Sequence, residues 1–83
     1  MGLRLTPSEI RSAFDSDELR AQFPPILNVA DVVRLLRLPS RKTVYGWVAK
    51  GRLNGAFRKR GKHHLFWRDR LIDLIFNSQD WSE

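Results

Sequence analysis

Eighty-three residues with 42% apolar side chains, no cysteine and a net charge of +6 make one small domain with one core. They exclude a disordered chain, a disulfide framework and thiolate chemistry. No apolar run approaches the roughly 20 residues that span a bilayer, Met1–Leu5 lacks the apolar stretch of a secretory signal, and Gly2 with Thr6 meets only a loose myristoylation pattern. The charge is segregated along the chain. Met1–Val33 carries three Arg against five acids, Arg34–Arg70 carries twelve Lys or Arg against Asp69 alone, and Leu71–Glu83 carries three acids and no base. Acidic ends flanking a strongly basic middle point to a polyanionic partner.

Thr6-Pro7-Ser8-Glu9 is a helix start: a capping Thr, a Pro suited to the first turn and a Glu that closes a capping box. Ile10 and Phe14 then lie one turn apart. Asp15-Ser16-Asp17-Glu18 reads as a second start, either a kink or a break, with Leu19 and Phe23 on the next face. Pro24-Pro25 ends this region, since neither proline donates to a ladder. Asn28 caps a helix predicted over Val29–Arg37, and Pro39 cannot continue it. Ser40 caps a second helix, predicted over Arg41–Lys50, whose stripe Val44, Trp47 and Val48 faces the core. Gly51 supplies its left-handed stop.

Ala56–Arg58 and His64–Trp67 read as the strands of a hairpin turning at Arg60-Gly61. A last helix opens at Arg68-Asp69 and runs to about Asn77. Leu71, Leu74 and Ile75 form one of its stripes, and Ile72 and Phe76 a second. Either the N-terminal helices or a partner must cover the second stripe. His63-His64 is a poor metal site, because adjacent strand residues face opposite ways and no third ligand is near. Asp15, Asp17 and Glu18 lack the glycine and terminal Glu of a calcium loop, and no spacing marks a nucleophile. The expectation is a non-enzyme without a cofactor or metal.

Two short helices with a tight break at Leu38-Pro39-Ser40, followed by a cationic hairpin, resemble the excisionase-like, MerR-type winged helix-turn-helix domains. The resemblance spans Leu27–Ile75. It rests on Val29-Ala30-Asp31-Val32-Val33-Arg34-Leu35-Leu36, Ser40-Arg41-Lys42-Thr43-Val44-Tyr45-Gly46-Trp47-Val48, Gly51-Arg52-Leu53, the basic hairpin Phe57–Trp67 and the helix Asp69–Ile75. The fold it implies is mainly α with a small β-hairpin, a winged helix-turn-helix with an extra N-terminal helical segment. Residues 1–25 form that extension, 26–77 the DNA-binding domain and 78–83 an acidic tail. Gly46 departs from the family, which often has a long polar side chain there.

In this fold the second helix enters the major groove N-terminus first. Arg41 or Lys42 then reads guanine, the Thr43 methyl meets a thymine methyl, and Tyr45 and Gly46 share the reading face. Ser40 and the first amides hold a phosphate, while Lys50 and Arg52 position the backbone. Arg58, Lys59, Arg60 and Lys62 form the wing for a minor groove, with His63 facing phosphate. The partner is double-stranded DNA, and no membrane role is expected. Full-length MerR regulators dimerise through a long helix after the wing, for which 16 residues beyond Trp67 are too few. By resemblance, small excisionases associate head-to-tail on repeated sites, bend the DNA and work with a separate integrase. Such a protein belongs in the cytoplasm with the bacterial nucleoid. The alternatives are a small AlpA-like transcriptional regulator and a protein-interaction module working through Ile72 and Phe76.

Overall fold

A computed structural model describes residues 4–78. Gly2 and all but the first residue of the expected acidic tail lie outside the described residues. The chain runs α1 (Pro7–Ser12), α2 (Asp17–Gln22), β1 (Ile26–Leu27), α3 (Val29–Leu36), α4 (Arg41–Ala49), β2 (Phe57–Arg60), β3 (His63–Trp67) and α5 (Arg68–Asn77). The expected class holds: a helical protein with a small antiparallel sheet. The sheet has one strand more than the hairpin, in the order β1-β3-β2.

The helix starts follow from local chemistry. Thr6 and Glu9 close the capping box of α1, and Asn28 and Asp31 close an equivalent one on α3. Ser16 accepts the Leu19 amide at 3.0 Å, which makes Asp15-Ser16 a break between two helices and not a kink. Reciprocal caps of this kind satisfy amides that have no partner inside the helix. The ends of α3 and α4 share one geometry. Leu38 N–H donates to Val33 and Arg37 N–H to Arg34, while Arg52 N–H donates to Trp47 and Gly51 N–H to Val48. These are paired 6→1 and 5→2 bonds around a left-handed residue. Gly51 provides that residue after α4 at φ 75°, but Arg37 provides it after α3 at φ 54°. The left-handed turn is why α3 ends at Leu36, one residue before the expected end.

β1 was not anticipated. Two residues are too few for a periodic signal, and pairing with a strand about forty positions away creates it. Ile26 sits opposite Trp67 and Leu27 opposite Phe66. The hairpin register is Phe57↔Phe66, Arg58↔Leu65, Lys59↔His64 and Arg60↔His63. The turn is therefore Gly61-Lys62, one residue later than expected. Gly61 at φ 59° occupies the first loop position, where a type II′ turn requires glycine.

The main core gathers Leu27, Val29, Val32, Val44, Leu53, Ala56, Phe66 and Leu71, with Trp47 and Val48 packed against it. The stripe of α4 is thus core-facing, as its spacing predicts. A second cluster, Ile10, Phe14 and Ile72, seats the N-terminal segment on α5, and Phe23, Leu35 and Leu36 touch both clusters. Asn77 adds a polar lock: Leu5 N–H donates to its Oδ1 at 2.6 Å and its Nδ2 donates to the Leu5 carbonyl at 2.8 Å. The second stripe of α5 is divided, since Ile10 and Phe14 cover Ile72 while Phe76 stays 59% exposed.

Candidate nucleic-acid interface

α4 is held by its buried side, where Val44 is fully enclosed and Trp47 and Val48 pack on the core. That leaves Arg41, Lys42, Tyr45 and Ala49 exposed, with the half-buried Gly46 between them. A Cβ built on Gly46 meets nothing within 4 Å, so this glycine is not required by packing inside the molecule. Ser40 starts α4 with its hydroxyl accepting the Lys42 amide at 3.3 Å. Thr43, half-buried, sits at the edge of the outward face.

The start of α4 differs electrostatically from the other described helices. α1, α2, α3 and α5 each carry an acid in the first turn, whereas α4 carries none and begins with Arg41 and Lys42. A helix N-terminus is already partially positive. Two cations there are unfavourable within the isolated protein and favourable against phosphate.

The wing stands beside this helix. His64 stacks on Phe57 with centroids 5.5 Å apart and meets Tyr45 edge-on at 5.6 Å. Phe57 in turn lies 5.6 Å from the buried Phe66. This run of rings braces the hairpin against α4 and carries its position into the core. Between helix and wing lies a cleft of about 230 Å³ lined by Asn28, Val29, Ala30, Arg41, Tyr45, Lys62, His63 and His64. The fold therefore brings together Arg41, Tyr45, Lys62 and His63, residues up to 22 positions apart.

Strand alternation separates the other wing cations. Lys59 shares the face of His64, whereas Arg58 and Arg60 belong to the opposite face; His63, paired with Arg60 beside the turn, also borders the α4 cleft. Arg58 and Arg60 line a different groove, on the outer side of the sheet. Lys50, exposed, and Arg52, half-buried, follow the far end of α4. Among the described residues, Arg41, Lys42, Lys50, Arg58, Lys59, Arg60 and Lys62 have no carboxylate partner.

This architecture is a helix-turn-helix, α3 and α4 joined by a tight turn, flanked by a basic wing. A family model described as a helix-turn-helix domain matches residues 26–75. The chain belongs to that family. No curated protein and no solved structure matches the chain. Helix-turn-helix domains bind DNA, and the outward face of α4 is the element that such domains present to it. Among the described residues no helix is long and apolar enough to cross a membrane.

The helix-turn-helix domain also uses residues that sequence reasoning did not single out. Phe57 and His64 brace the wing, and only the β2–β3 register and the packing of α4 bring them together. Arg34 and Arg68 belong to the basic middle of the chain but are turned to structural use. Arg34 donates to the Gln22 carbonyl at 3.2 Å and to Asp31 at 2.8 Å, and lies 5.1 Å from the Phe23 ring. Arg68, 5% exposed, donates to the Phe23 carbonyl at 2.7 Å and to Asp69 at 2.9 Å, and lies 4.2 Å from the Phe14 ring. Both fasten the N-terminal segment to the helix-turn-helix domain. Their direction is invisible in a linear charge count.

Proposed function

We propose that the protein is a recombination directionality factor, an excisionase. It binds repeated sites in the attachment region of an integrated element, bends the DNA and lets a separate integrase excise the element, with no chemistry of its own. The observation that carries the reading is the α4 and wing surface, where Arg41, Lys42, Lys59 and Lys62 have no carboxylate partner among the described residues while Arg20, Arg34 and Arg68 elsewhere are paired. Arg41, Lys42, Thr43, Tyr45 and Gly46 occupy the major groove. Ser40 and the α4 amides hold a phosphate, and Lys50 and Arg52 position the backbone. Lys59, Lys62 and His63 reach the adjoining backbone or minor groove, with Arg58 and Arg60 on the far side of the wing.

The longest dimension of the protein, 32 Å, is about one turn of duplex. One copy therefore reads a short stretch, and repeated sites with association between neighbours supply the missing affinity and the bend. Footprinting on the attachment region and on neighbouring promoters, at several salt concentrations, tests this. About 4–7 phosphate contacts per copy give a log–log salt slope near −4 to −6. Protection of repeated sites that appear together, with slowed migration of centrally bent fragments, supports the excisionase. Protection of a single promoter site replaces it with a regulator. Absence of saturable binding at low salt overturns both.

A further inference from the structure

The sheet has an outer face that neither the core nor the α4 cleft uses. Ile26 and Trp67 are direct cross-strand partners and are 51% and 49% exposed. Leu65 stands beside them on the same face, opposite Arg58. A groove of about 510 Å³ runs over these residues, and its lining holds Arg58, Arg60 and Arg70 and, among the described residues, no carboxylate. Arg70 donates to the Gly55 carbonyl at 3.3 Å, while Arg58 and Arg60 have no carboxylate partner among the described residues. An apolar centre of Trp and aliphatic side chains rimmed by Arg is the composition of a protein-binding hot spot. It is a poor platform for single-stranded nucleic acid, which needs successive aromatic faces, because Ile26 and Leu65 offer none.

We propose that this groove binds the segment Asp80-Trp81-Ser82-Glu83 of a second copy of the chain. The segment carries the complement of the groove: one bulky indole for the floor of Ile26, Leu65 and Trp67, and a carboxylate on either side for Arg58, Arg60 and Arg70. Its own copy is the less suitable host. α5 is 10 residues long and starts beside Trp67, so at about 1.5 Å per residue it ends about 14 Å from the groove. Trp81 is the fourth residue beyond Asn77, and four residues reach at most about 14 Å when fully extended, which leaves no slack for reversing direction and seating the indole. The contact joins two different surfaces and so builds rows instead of closed pairs. The inference rests on the reading that copies sit side by side on DNA, and names the surfaces that join them.

A fluorescein-labelled peptide spanning Ser78–Glu83, titrated into the full-length protein carrying Trp81→Ala, tests the groove without DNA. Saturable polarisation that disappears with Trp67→Ala in the protein, and with Trp81→Ala in the peptide, supports it. Equal binding by both peptides, no binding, or displacement by a single-stranded oligonucleotide overturns it. On DNA, Trp81→Ala leaves single-site affinity unchanged while cooperativity between two adjacent sites falls about ten-fold. Cooperativity of the wild-type chain that survives Trp81→Ala overturns this contact alone. Independent filling of the two sites by the wild-type chain overturns the side-by-side reading itself.

Discussion

Arg41 and Arg68 each occupy the first position of a helix, and the protein uses them in opposite ways. Arg68 begins α5, is 5% exposed and is matched by Asp69, the Phe23 carbonyl and the Phe14 ring. Arg41 begins α4, is exposed, and has neither an acid in its first turn nor a carboxylate partner among the described residues. The same contrast separates two regions. On the N-terminal side, cations close ion pairs and hold segments together. Across α4 and the wing, Arg41, Lys42, Lys59 and Lys62 have no carboxylate partner among the described residues. A buried charge without partners is strongly unfavourable, so Arg68 must be satisfied where it lies. An exposed cation costs little in water, so Arg41 and Lys42 are free to be satisfied by DNA. A charge therefore marks function only after its partners are known.

The sharpest break of this comparison is Arg68→Ala. It leaves the Phe23 carbonyl without its donor and removes the link between the N-terminal segment and α5, costing about 3 kcal/mol. In a domain of this size that lowers the melting temperature by on the order of 15 °C, while DNA affinity of the folded fraction at low temperature holds. Loss of DNA binding without loss of stability places Arg68 in the wrong region. The converse variant, Arg41→Ala with Lys42→Ala, weakens binding by about 2 kcal/mol or more. Its thermal midpoint stays the same or rises, since two cations leave a helix N-terminus. A gel-shift titration beside a melting curve decides it.

Smaller effects sharpen the picture on the DNA side. Lys59→Gln with Lys62→Gln lowers affinity for all sequences alike and reduces the salt slope by about 2. An unchanged slope removes the wing from the phosphate contacts. Gly46→Ala has open space around the new Cβ and stabilises α4 by about 0.5–1 kcal/mol, measured by denaturant unfolding. If its DNA affinity falls as stability rises, the glycine serves a close approach of α4 to the groove.

Much of the fold is legible because it is local. The starts of α1, α3 and α4 are written as Thr6…Glu9, Asn28…Asp31 and Ser40, and the core stripe of α4 as Val44, Trp47 and Val48, since caps and helical periodicity involve residues three or four apart. The strand pair Ile26–Leu27 left no such trace. Neither did the left-handed Arg37, which stands where glycine is the usual signal. The cation content of the candidate interface is equally visible in sequence, but not its sides: Lys59 and Arg58 are neighbours in the chain and face opposite ways in the sheet.

By itself the amino-acid sequence determined the capped starts of α1, α3 and α4, the two-helix motif with its basic hairpin, and the segregation of charge, because capping, turn chemistry and periodicity act over a few residues. Only the tertiary structure decided which cations are spent on structure and which remain for a polyanion. It also decided that His64 and Phe57 would brace the wing, and that Ile26 and Trp67 would leave an apolar face exposed. Those outcomes depend on partners as distant as Phe23 and Arg68 or Leu5 and Asn77. Their pairing is set by how the buried faces of α1, α3, α5 and the sheet close on one another to exclude water.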